Sequence, residues 1–107
     1  MGRSLGLGTV SILAALEGSV RYGLDITQHT GLLAGTVYTT LRRLEQRSLI
    51  KGQWEDAEVA EAERRPRRRY YTLTPQGIAA LEQARGRLAE LAPDFPSAKP
   101  AAQLRDA

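Results

Sequence analysis

The chain contains no cysteine, which removes disulfides and thiolate metal sites and leaves its redox compartment open. Its single histidine, His29, has neither cysteine nor clustered carboxylates to join it, so no metal site or activated nucleophile can be assembled around it, and it is expected at or near the surface. Aromatic residues make up only 6%, so the core should be mostly Leu, Ile, Val and Ala, and helices are the expected framework. The longest apolar run, Ile12 to Leu16, falls far short of the ~20 residues a membrane span needs. Gly6 and Gly8 follow no strand and precede no lysine, so they do not make a phosphate-binding loop. No internal repeat is apparent. Near the start, Arg3 is not followed by an apolar stretch of signal-peptide type, and a cytoplasmic location is expected. At 107 residues there is room for one domain and a tail but not for a second, catalytic unit.

What is present is 42% hydrophobic residues and a net charge of +3 that is unevenly spread. Ile12, Leu13 and Leu16 before Gly18 predict a largely buried helix from about Leu7 to Glu17. A second helix is expected from about Tyr22 to Thr30, with Gly31 as its C-terminal cap. After this short turn, Val37, Leu41 and Leu44 recur at the spacing of a buried helical stripe. The same projection puts Thr36, Thr39, Arg43 and Gln46 on the opposite face, flanked by Tyr38 and Arg42. Leu49 to Glu55 and Arg69 to Leu73 then read as two strands joined by a long polar loop, Asp56 to Arg68. Thr74-Pro75 has the form of an N-cap followed by a first-turn proline, opening a fourth helix. Along it Gly77, Leu81, Ala84, Leu88 and Leu91 alternate steps of four and three, the spacing of a seam between helices. Ile78 and Leu81 are expected to cap the domain, leaving Leu88 and Leu91 for a second subunit. Pro93, Pro96 and Pro100 end the helix near Ala92.

Two helices joined by a glycine turn, the second with a polar basic outer face, fit a helix-turn-helix, and the basic hairpin beside it fits a wing. In that arrangement Thr36, Tyr38, Thr39, Arg42 and Arg43 face the major groove. The plainer alternative is a solvated helix face. Arg64, Arg65, Arg67, Arg68 and Arg69 crowd five cations into six residues and suit a phosphate backbone. Against that, Glu55, Asp56, Glu58, Glu61 and Glu63 lie in the same loop and could neutralise them. Strand alternation sends Arg67 and Arg69 to one face and Arg68 to the other. Trp54 is expected to pack on the first wing strand.

Tyr22-Gly23-Leu24-Asp25-Ile26, Gly35-Thr36-Val37-Tyr38, Leu41-Arg42-Arg43-Leu44-Glu45, and Arg67 to Thr74 with Gly77 together resemble the PadR family of transcriptional regulators. The likeness keeps order and spacing from about Ile12 to Leu91. It implies a winged helix-turn-helix, a homodimer made through the last helix with help from the first, and repression of nearby genes. By position, Thr36 and Tyr38 match the start of the family's recognition helix, and Arg68 and Arg69 its basic wing strand. Leu33 and Ala34 stand where the family often has serine and proline, and Thr39 where a proline often follows the tyrosine. No tryptophan lies on the fourth helix, so the aromatic-ligand pocket of some family members is not implied.

The expected architecture is therefore mainly α with a small β-hairpin: a winged helix-turn-helix at 1–74, a dimerisation helix at 75–92 and a flexible tail at 93–107. The expected DNA-binding residues are Thr36, Tyr38, Thr39, Arg42, Arg43, Arg67, Arg68 and Arg69. The expected dimer seam is Leu81, Ala84, Leu88 and Leu91. Partners are double-stranded DNA and a second copy of the chain, with room for a small-molecule effector of unspecified identity, and with no cofactor, metal or membrane. The reading from another class is a winged-helix protein-interaction module, with the acidic loop as its contact surface.

Overall fold

In the computed structural model, residues 5–91 are described. The first apolar run folds as α1 (Leu7–Ala15), burying Ile12, Leu13 and, just past its end, Leu16. Gly18 turns the chain at φ 66° into a two-residue strand, β1 (Arg21–Tyr22). Next come α2 (Gly23–Thr30) and α3 (Ala34–Gln46). Gly31 closes α2 in the left-handed conformation at φ 75°, its N–H donating to the Thr27 carbonyl. Three residues thus suffice to turn α2 into α3. α3 ends without a glycine. Ser48 takes the left-handed position at φ 61°, while the N–H groups of Ser48 and Leu49 donate to the carbonyls of Glu45 and Leu44.

The remaining elements are β2 (Ile50–Trp54), α4 (Ala57–Ala62), β3 (Arg69–Leu73) and α5 (Pro75–Leu91). The sheet is antiparallel in the order β1-β3-β2, with Ile50 opposite Leu73, Trp54 opposite Arg69 and Arg21 opposite Tyr71. Two features correct the sequence reading. The hairpin gains a third strand, β1, and the segment expected as a long polar loop carries α4, whose Ala60 is 2% exposed. Arg64 closes α4 as Ser48 closes α3, at φ 56°, with Arg65 N–H donating to the Ala60 carbonyl. α5 starts as expected: the Thr74 hydroxyl accepts from the Gly77 N–H at 3.0 Å and donates to the Ser48 carbonyl at 2.7 Å. Glycine is required at 77, because a Cβ there would lie 1.9 Å from the Leu49 carbonyl oxygen.

The core sits where these elements meet, drawing Ile26 from α2, Val37, Leu41 and Leu44 from α3, Ile50 and Tyr71 from the sheet and Leu81 from α5 onto the α1 side chains. Each such aliphatic burial contributes about 1.5–3 kcal/mol relative to exposure. Thr40 joins the inner face of α3, completing a stripe at 37, 40, 41 and 44. Ile78, expected to cap the domain, is instead 48% exposed, and Leu81 alone fills that place. The reason is angular: one turn of α5 is already pinned against Leu49 through Gly77, and a neighbouring residue points about 100° away. Farther along α5, Leu88 is half-buried and Leu91 is exposed. Arg85 bonds Glu17 at 2.9 Å, tying α5 to the end of α1 and drawing the Glu17 carboxyl below its usual range. The expected flexible tail at 93–107 lies outside the described residues.

Candidate nucleic-acid interface

The outer face of α3 follows from the burial of its inner one. With Val37, Thr40, Leu41 and Leu44 turned inward, Thr36, Tyr38, Thr39, Arg42, Arg43 and Gln46 are all exposed. Arg42, Arg43 and Arg47 have no carboxylate partner among the described residues. The helix begins at Leu33 with no side-chain cap and no acidic residue in its first turn. Its first N–H groups therefore lie open beside the Thr36 hydroxyl, a combination that favours anionic oxygens. An open depression lined by Leu33, Gly35, Thr36, Thr39, Thr40 and Arg43 runs along this face. Tyr38 is fixed by α2, its ring lying against Gly23 so closely that a Cβ there would come within 2.3 Å of it.

Of the three wing arginines only Arg69 lies within β3, which begins later than the expected alternation needs, yet Arg67 and Arg69 share the Trp54 ring while Arg68 turns away. Arg67 is exposed, its Nε donating to the Glu55 carbonyl at 2.8 Å, and its guanidinium lies 5.8 Å from the Trp54 ring. Arg69 approaches the same ring at 5.4 Å and forms an ion pair with Glu45 of α3, which raises its pKa. Arg68 points to the other face and stacks 4.0 Å over Tyr22, whose ring meets that of Tyr70 edge-on. Trp54 thus packs between arginines, with half of its surface still exposed.

Acidic residues neutralise the arginine run less widely than their number suggests. Glu55 takes Arg65 in a two-pronged bond at 2.7 and 2.8 Å and also accepts the Arg68 N–H at 3.2 Å. The hydrogen bonds from Arg65 hold the Glu55 carboxyl down at about 2. Glu63 adds a second carboxylate to Arg65 at 2.9 Å. Glu58 and Glu61 are exposed and bond none of Arg67, Arg68 and Arg69. Glu45 and Gly52 are the site residues that sequence reasoning missed. Glu45 pairs across 24 positions, beyond any local spacing rule.

The pattern of the transcriptional regulator PadR-like family matches residues 12–83. A PadR family transcription regulator from Clostridium difficile R20291 is similar at 28% identity and TM-score 0.70, over 84% of this chain and 98% of its own. A PadR-like transcription factor from Bacteroides fragilis follows at 27% identity and TM-score 0.68, covering 78% and 81%. Bacillus subtilis PadR, solved in complex with operator DNA, shares the fold at 20% identity and TM-score 0.62, over 72% of this chain and 45% of its own. No curated protein sequence matches. Because the matched pattern runs from α1 into α5 through both the helical pair and the wing, the chain belongs to the transcriptional regulator PadR-like family.

Proposed function

We propose that the chain is a DNA-binding repressor that recognises an inverted-repeat operator as a homodimer and has no enzymatic activity of its own. One observation carries the reading: the uncapped start of α3 and its exposed Thr36, Tyr38, Thr39, Arg42 and Arg43 form a single basic surface, with no carboxylate among the described residues opposing Arg42 or Arg43. Arginine forks on that surface suit guanine edges, the threonine hydroxyls suit phosphates or bases, and Arg67 of the wing suits a flanking phosphate. The operator-bound Bacillus subtilis neighbour supports the same use of the fold.

The second subunit docks along Ala84, Leu88 and Leu91, the outer part of α5 that the protomer's own core leaves uncovered. Leu81 of the expected seam is 1% exposed and serves the protomer's own core. The protein acts in the cytoplasm, and no helix among the described residues is long and apolar enough to cross a membrane. A mobility-shift assay with random genomic fragments tests the reading. Retardation at moderate salt is expected, and none at any salt would favour an interaction module instead.

A further inference from the structure

Arg69 is a wing residue whose guanidinium is already spoken for. It crosses β2 to reach Glu45 on α3, passing over Gly52, where a Cβ would come within 2.6 Å of its Nε. The Trp54 and Tyr71 rings flank it at 5.4 and 6.0 Å. The slot exists because residue 52 has no side chain. The pair is also better covered than a surface ion pair: its side chains are 27% and 32% exposed, against 49% and 53% for Arg85 and Glu17. Moving Arg69 to a phosphate would forfeit these contacts and leave the Glu45 carboxylate unneutralised on a surface facing a polyanion.

From this slot and its ion pair we infer that Arg69 is a positioning residue, clasping the wing to α3 and fixing the angle at which the two meet a duplex, without contacting phosphate itself. The inference rests on the DNA reading above, because the angle matters only if both elements engage one ligand. A fixed angle lowers the ordering cost when Arg67 and the α3 face bind together.

The sign of one substitution separates a clasp from a masked DNA contact. Glu45→Gln removes a negative charge beside the proposed interface, so charge alone would tighten binding. A freed Arg69 reaching phosphate would also steepen the salt dependence, by about 0.9 per subunit. The clasp requires the opposite. Glu45→Gln and Arg69→Gln should each weaken binding by about 5- to 30-fold, with the Glu45→Gln salt slope unchanged and the double variant no worse than either single one. Gly52→Ala keeps both charges but fills the slot, and should behave like Arg69→Gln.

The measurement is anisotropy of a labelled duplex selected from genomic fragments, titrated at several salt concentrations. Trp54, the sole tryptophan, supplies a readout independent of DNA: acrylamide quenching should rise equally in Arg69→Gln, Glu45→Gln and Gly52→Ala. Tighter binding with a steeper slope in Glu45→Gln, or quenching unchanged in all three variants, overturns the inference. Failure of the unmodified protein to bind any duplex overturns the DNA reading instead, and the quenching still judges the clasp.

Discussion

Ser48 and Arg64 occupy left-handed backbone positions that usually go to glycine. For an L side chain the conformation costs roughly 1–2 kcal/mol, partly offset in any glycine replacement by the freedom glycine gains in the unfolded chain. Ser48→Gly should therefore stabilise the fold by about 0.5–1 kcal/mol, raising the melting temperature by a few degrees. The bond from Thr74 survives, because it goes to the backbone carbonyl. A second contrast lies on the two faces of α3. Leu41 is 1% exposed, so Leu41→Ala should cost about 2–5 kcal/mol of stability. Arg43→Ala should leave the melt nearly unchanged while weakening specific DNA binding by about 1–3 kcal/mol. Equal melting losses in both would contradict the division of faces.

Among the elements, the wing is tied by Glu55 as well as by its ladder. That carboxylate receives Arg65, the Arg68 N–H and, at 3.5 Å, the Tyr70 hydroxyl. Its pKa lies near 2 in the folded protein and about 4.5 when free, so its stabilisation is complete above about pH 4.5 and is lost as pH falls toward 2. Glu55→Gln should melt lower than the unmodified protein at pH 6, and the two should converge as both are acidified. A gap that stays constant from pH 6 to pH 2.5 would rule out the carboxylate as the cause.

Elements also show where the sequence was legible. Strong stripes such as 37, 41 and 44 revealed the helices, and Gly31 and Thr74 marked two of their ends. β1 has two residues, too few for alternation to show. α4 has one buried residue, Ala60, so it has no apolar period at all. Its Ala and Glu content did favour a helix, but six residues are marginal alone, and the Arg65–Glu55 pair that ties its two ends together joins residues ten apart, outside local preference. For the site, the α3 face was readable from its projection. The ties of Arg69 to Glu45 and Arg68 to Tyr22 were not, because they depend on how distant segments pack.

At the scale of the whole molecule, the proposed dimer doubles each DNA contact and sets the spacing of two recognition helices. Leu91 is 80% exposed, so Leu91→Asp costs the single subunit little. Placed against its symmetry mate, however, the carboxylate should split the dimer. Sedimentation at micromolar concentration should show a dimer for the unmodified protein and a monomer for the variant. Unchanged sedimentation would move the interface elsewhere.

The central claim, that the α3 face and the wing together bind duplex DNA, is tested most directly by the salt dependence of that binding with and without Arg67. Arg67 is exposed, lacks a carboxylate partner among the described residues and sits on the same face of the wing as Trp54. One phosphate contact from each of two subunits, at about 0.9 apiece, means that Arg67→Ala should lower the slope of log affinity against log salt by about 2. The preferred sequence should stay the same. Identical slopes for the two proteins, or a shifted sequence preference in the variant, would contradict the account.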